Sequence, residues 1–298
     1  MSAARTKSAK VTSPNRFQRV TALFREPARP WTVAALTVAA VAGAWYFVWQ
    51  EVRGHVLNGD DYLVTAENVS LTPTPRWIHA DIRGEAFAAA SADRPLSLMD
   101  PQLTERIAAV FSLHPWVAGV RSVRKVYPAC VVVDVIYRMP VLAVAGSGGL
   151  VPVDAQATVL PSGDFSPVEL ARFPQLVNVD SVPLGPAGER WGDARVAGAA
   201  EVVAALGSAC REWRIRSIIP SPAPERPGSD DYLFALRTQG GTSILWGRAP
   251  NVGIAGELPA SEKIGRLRKY FRTHGTLEGR DGPQSIDIRT LDPADRSG

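Results

Sequence analysis

The chain has 298 residues, 46% of them hydrophobic and 21% charged, which fits a globular protein and excludes a disordered or collagen-like one. Its formal net charge of +4 is misleading, because residues 1–30 hold seven basic side chains (Arg5, Lys7, Lys10, Arg16, Arg19, Arg25, Arg29) against one acid, Glu26. The part beyond residue 50 is therefore slightly acidic, and the electrostatic case for nucleic acid as a partner disappears.

From Pro30 to Gln50 there is no charged side chain. As a helix, Trp31 to Trp49 spans roughly 28 Å, about the hydrocarbon thickness of a bilayer. The expected layout is a basic cytoplasmic arm over 1–30, a transmembrane helix over 31–50 and an exported remainder, oriented by the positive-inside rule. Trp31 at one end and Trp45, Tyr46 and Trp49 at the other place amphipathic rings at the two headgroup layers, as an anchor requires. The expected topology is single-pass, with everything after about residue 51 on the far side of the membrane. A cleaved signal peptide is the competing reading, since Ala42-Gly43-Ala44 has the small residues of a cleavage site. Against it stand the long basic arm and the bulky aromatics that extend the apolar run. Ala35, Ala39 and Gly43 form a small-residue stripe that suits a partner helix, but an alanine-rich segment produces such stripes by chance. Cys130 and Cys210 could pair in an oxidising compartment, but they are too few for a disulfide framework or a metal site and read first as two buried free thiols.

Residues 51–75 read as a connector, with a short extended piece near Tyr62–Leu71 and a stiff Thr72-Pro73-Thr74-Pro75. A small α/β module is expected over 76–140. It opens with a strand at Trp77–Ile82 and a short helix over Glu85–Ala90. Asp100-Pro101 starts a second helix, and Leu103, Ile107, Val110 and Phe111 give it one apolar face. His114-Pro115-Trp116 ends that helix. Two strands follow, Val120–Tyr127 and Val131–Arg138, around a turn at Pro128-Ala129.

Over 141–291 the texture changes to short strands broken by glycine and proline, which predicts a mostly antiparallel β domain with helices. Val141–Ala145 and Leu150–Val153 read as one hairpin, and Asp231–Thr238 and Thr242–Trp246 as another. Residues 161–192 read as loop, and Ala194 to about Arg211 as a helix. Ser261 is placed as the cap of a further helix whose Ile264, Leu267 and Phe271 face a core, with Lys263, Arg266, Arg268, Lys269 and Arg272 largely outward. Ser285–Thr290 is the last strand, and 292–298 a polar tail. The fold class is α+β.

The chemistry-bearing residues are scattered. His55, His79, His114 and His274 show no metal-ligand spacing, and no phosphate loop, dinucleotide fingerprint or nucleophile elbow is present. Asp134, Asp154 and Asp287 lie in or beside apolar strands, where turn-capping or outward carboxylates are the ordinary explanation. The expectation is a protein that is not an enzyme, with no catalytic, metal or cofactor site and no small-molecule substrate.

One stretch carries a resemblance: His114-Pro115-Trp116-Val117, then Val120–Pro128, then Val133-Asp134-Val135-Ile136-Tyr137-Arg138-Met139-Pro140-Val141. It resembles the bacterial cell-division family FtsQ/DivIB. Leu150-Val151-Pro152-Val153-Asp154, Phe173-Pro174-Gln175-Leu176 and Ile286-Asp287-Ile288-Arg289 resemble later elements of that family, in the same order. The resemblance covers about residues 76–290 and is densest over 114–161.

The resemblance implies a bitopic scaffold of the cell inner membrane, its bulk periplasmic or extracytoplasmic, with a POTRA module, then a β domain, joining division proteins at the septum. In the family the β domain binds the FtsB–FtsL pair by adding a partner strand near the C-terminus. On this chain the candidate edge is Ser285, Ile286, Asp287, Ile288, Arg289 and Thr290. In the POTRA module, Arg121, Arg124 and Lys125 are candidates for an acidic partner, or a solvated strand face. Many family members carry a further strand after this point, whereas Leu291-Asp292-Pro293 is a poor strand. The partner edge has then moved, been lost, or become Ser285–Thr290 itself. An export or assembly protein with a POTRA module is the second reading, and an anchored periplasmic enzyme the third.

Overall fold

The structure is a computed structural model that describes residues 30–57, 62–146, 148–252, 257–278 and 284–289. The expected basic arm and polar tail lie outside the described residues. The chain divides into two compact units, Met1–Asp60 and Asp61–Gly298.

The first unit is a helix, α1, over Pro30–Leu57. Proline stands at its first position, where a missing N–H costs nothing, and no glycine or proline pair interrupts the alanine-rich run. The stretch Trp31–Arg53 is long and apolar enough to cross a membrane, and none of its most apolar window is buried in protein. Its aromatic side chains Trp31, Trp45, Tyr46 and Trp49 are all exposed. This is the form of a single-pass anchor or of a signal sequence.

The second unit opens with a three-stranded sheet of order β1-β3-β2, built from β1 (Val69–Leu71), β2 (Val117–Val126) and β3 (Cys130–Tyr137). Strands β2 and β3 form an antiparallel hairpin, and β1 runs parallel to β3 with Val69 opposite Val131. The two-residue period of β3 sends Val131, Val133 and Val135 inward. They meet α2 (Ile82–Ser91) and α3 (Leu103–Leu113), whose buried residues Ile82, Ala86 and Ala90, and Leu103, Ile107 and Phe111, recur at helical spacing. Each of the larger side chains contributes about 1.5–3 kcal/mol by leaving water.

Trp77–Ile82 is not a strand. Asp81 accepts a hydrogen bond from the Gly84 amide and caps α2, so Ile82 is the first helical residue. The four-residue recurrence of Ile82, Ala86 and Ala90 outweighs the short alternation before it. The strand position beside β3 is filled instead by Val69–Leu71. Asp100 does not start α3 directly. Its carboxylate accepts from the Gln102 amide and its carbonyl from the Leu103 amide, which makes a turn ahead of the helix.

The larger sheet has seven strands in the order β10-β9-β8-β7-β6-β4-β5. These are β4 (Leu142–Gly146), β5 (Gly149–Val153), β6 (Gln175–Leu176), β7 (Ile215–Pro220), β8 (Leu233–Thr238), β9 (Ser243–Arg248) and β10 (Ser285–Asp287). The hairpins β4–β5 and β8–β9 fall where the alternation predicts them, and β7–β8 is also antiparallel. Strand β6 runs parallel to both β4 and β7, and β10 parallel to β9, so the sheet is mixed. The short α4 (Pro167–Leu170) precedes β6 and carries a capping box between Ser166 and Glu169. Helix α5 (Ala194–Leu206) buries Val196, Ala199, Val203 and Leu206, and α7 (Ala260–His274) buries Leu267. Both pack into the core of Leu142, Val144, Leu176, Ile218, Leu236, Ile244 and Trp246.

Strands β6 and β7 lie where no strand is expected. A two-residue strand has no period to read, and Ile218-Ile219 breaks the alternation of β7. The helix expected over Ala194–Arg211 is interrupted at Gly207, whose φ of 53° ends α5 before the short α6 (Ala209–Glu212). Helix α7 follows Pro259 and has no side-chain cap, so Ser261 lies inside it.

The two sheets belong to one unit and share contacts. Arg138 follows β3 and Asp154 follows β5, and their side chains form an ion pair at 2.7 Å with the carboxylate almost fully buried. Trp116, wholly buried, donates from Nε1 to the Asp164 carboxylate at 2.7 Å. Leu160 and Phe165, which follow β5, pack into the core of the smaller sheet.

Candidate functional site

Strand β10 is the end strand of the larger sheet. It pairs with β9 in register, Ser285 opposite Ser243, Ile286 opposite Ile244 and Asp287 opposite Leu245. The Gln284 carbonyl accepts from the Ser243 amide, and the Ile288 amide donates to the Leu245 carbonyl. Backbone groups alternate in direction along a strand, so Gln284, Ile286 and Ile288 face β9 while Ser285 and Asp287 face away. Among the described residues no strand pairs with that outer side. The side chains alternate as well: Ile286 packs against the core and Ile288 is buried, whereas Ser285 and Asp287 are exposed. The expected segregation of Ile286 and Ile288 from Asp287 and Arg289 is present. Thr290 lies outside the described residues.

Asp287 and Arg289 form an ion pair of 2.7 Å. The Arg289 guanidinium first, and its amide next, hold the Asp287 carboxyl below the ordinary aspartate pKa. Gly247 in β9 approaches this end of the strand with a φ of +93°. A Cβ there would lie 2.1 Å from the Glu257 carboxylate and 3.2 Å from Arg289, so only glycine fits.

Behind the edge lies an ion network that no local spacing discloses. Glu257 accepts from the Arg248 amide at 2.8 Å, from the Arg248 guanidinium at 2.9 Å and from Lys263 Nζ at 2.5 Å. Arg248 also donates to Asp231, which is buried and pairs with Arg226 as well. Lys263, expected on the outward face of its helix, is only 3% exposed and sits over the Trp246 ring at 5.1 Å from its centroid. Its ammonium reaches the half-buried Glu257 carboxylate, which is why a lysine is tolerated on the inner side of α7. Burial alone would raise the Glu257 carboxyl, but hydrogen bonds from Lys263 and Arg248 outweigh it and hold the pKa below the ordinary value.

The three basic candidates of the smaller sheet do not form one patch. All are on β2, an end strand, but Arg121 falls at a register shift between Val120 and Ser122. Arg124 pairs with Val132, opposite the buried side of β3. Lys125 turns to the other side and donates to the carbonyls of Leu98 and Asp100, at 2.8 and 2.5 Å. Bulges and charges along an end strand are the usual means of keeping it from pairing.

Asp134 and Asp154 have structural partners. Asp134 accepts from Thr72 at 3.0 Å, and Asp154 pairs with Arg138 and accepts from the amides of Gln156 and Thr158. Among the described residues no group of three or more His, Cys, Asp and Glu could hold a metal ion. Cys130 and Cys210 are free thiols, and burial pushes the Cys210 thiol up to about 12. One concavity, of about 460 Å³, is lined by Leu63, Val64, Phe87, Pro95 and Leu96 with Arg94 at its side. A smaller one, of about 160 Å³, lies against Trp246, Leu258 and the ion network.

No known protein family matches the chain, and no curated protein sequence matches it either.

Proposed function

We propose that the chain is a non-enzymatic, membrane-anchored scaffold of bacterial cell division, of the FtsQ/DivIB kind, that binds an FtsB/FtsL-like partner by strand addition at β10. The observation that carries this reading is the outer side of β10, where the backbone groups of Ser285 and Asp287 face away from the sheet. A partner strand would satisfy them, which is how extended peptides dock on sheet edges. The order of an apolar N-terminal helix, a small α/β sheet and a larger sheet supports the reading. So do the residues that carry the resemblance. Arg138 and Asp154 are each other's ion-pair partner, Trp116 is fully buried at the same junction, and Leu176 is buried in β6. Arg138, Asp154 and Trp116 join one sheet to the other and Leu176 fills the core of the larger one, which gives their spacing a physical reason.

The test is capture of an FtsB/FtsL-like pair by the full chain from detergent-solubilised membranes. Ser285→Pro removes an outward N–H and leaves the bonds to β9 in place. We expect it to weaken capture at least tenfold with an unchanged thermal midpoint. Capture at wild-type strength would remove β10 from the interface.

A further inference from the structure

A strand of three residues has few ladder bonds of its own, yet β10 is held at both ends by groups outside the ladder. At its start, Gln284 donates from Nε2 to the Tyr270 hydroxyl at 2.5 Å and to the Leu277 carbonyl at 3.1 Å, both on or just after α7. The Gln284 amide donates to Thr242 Oγ1, and that buried hydroxyl donates to Glu278. At its end, the Arg289 carbonyl accepts from the Leu258 amide at 3.1 Å. Leu258 is itself buried and follows Glu257, whose carboxylate is fixed between Arg248 and Lys263. The start is thus tied to α7 and to Thr242 in the β8–β9 turn, and the end to Leu258 beside Glu257.

We infer that Gln284 and Glu257 are positioning residues that hold β10 as a preformed docking edge. Resting on the strand-addition reading, the inference adds how a three-residue edge can accept a strand. Ordering such a short segment on binding costs backbone conformational entropy, and a strand already fixed does not incur that loss again. The two residues touch no outward backbone group of β10. They act through Tyr270, Leu277 and Leu258.

The experiment is backbone hydrogen exchange on the full chain in detergent micelles, with capture of the FtsB/FtsL-like pair measured on the same preparations. Glu257→Gln removes the charge that holds Lys263 and Arg248, and Gln284→Ala removes the side-chain tie. Each variant is expected to speed exchange of the Ile286 and Ile288 amides at least tenfold, to leave the Leu236 amide in β8 unchanged, and to weaken capture at least fivefold. Unchanged exchange at β10 in both variants would overturn the inference. So would equal acceleration in β8, which marks general loss of stability, or a loosened β10 with undiminished capture. The exchange arm needs no partner. Wild-type protein with a protected β10 that captures nothing would overturn the strand-addition reading, and with it the docking role, while leaving the two ties as a fact of the fold.

Discussion

Two polar residues decide how the smaller sheet joins the larger one. Asp154 accepts from Arg138 and from two backbone amides, so its loss takes a partner from a half-buried guanidinium, which keeps only Thr158, and from two N–H groups together. Loss of Arg138 strands only the carboxylate, which keeps its amide partners. We predict that Arg138→Ala destabilises the fold by about 3–5 kcal/mol, as expected when one partner of a buried pair is removed. Asp154→Ala should cost more, an order that urea unfolding of the two variants measures. Glu257 gives a pH-dependent prediction. Its folded pKa is depressed, so its contribution is full above the ordinary glutamate value of about 4.3 and is lost as the pH falls through the lower folded value. The difference in exchange protection of the Ile288 amide between wild type and Glu257→Gln should be constant near neutrality and close below about pH 4. A gap that persisted there would refute the assignment. None of this was legible in the sequence. Arg248, Glu257 and Lys263 come from a strand, a loop and a helix, and a tie made by folding has no local period. Lys263 read as outward because charge predicts exposure, and here an ion pair and an aromatic face reverse that rule.

Among the elements, those with their own period were legible and those defined by neighbours were not. Strand β3 announces itself by Val131, Val133 and Val135, and α3 by Leu103, Ile107 and Phe111. Strand β6 exists because β4 and β7 lie on either side of it, and nothing in Gln175-Leu176 alone requires a strand. The outer strand β10 was legible as alternation, but its parallel pairing with β9 was not. That pairing changes the choice of variant. Ile288→Pro is the obvious probe from the sequence, but Ile288 is 3% exposed and its amide donates to Leu245. It should therefore loosen the core as well as the edge, lowering the thermal midpoint, whereas Ser285→Pro should not. On the smaller sheet, Arg124→Glu reverses a basic candidate that pairs with Val132, on the open side of β3. If that surface meets an acidic partner, recruitment should fall. Unchanged recruitment would leave Arg121, Arg124 and Lys125 as guards of an end strand.

For the molecule as a whole, the junction of Arg138–Asp154, Trp116–Asp164 and the shared packing of Leu160 and Phe165 make both sheets one compact unit. The two should unfold in a single transition, and calorimetry would show two peaks if the junction were weak. The apolar helix α1 sets a separate requirement. An uncleaved anchor keeps the chain in the membrane pellet after alkaline extraction and leaves the N-terminal arm closed to protease added from outside. A processed signal sequence would give a shorter, soluble product. The central claim, that this is a scaffold of the division machinery, is tested most directly by where the protein goes. A functional fluorescent fusion at the N-terminus should concentrate at midcell as cells constrict. Uniform envelope fluorescence that persists through division would contradict the account.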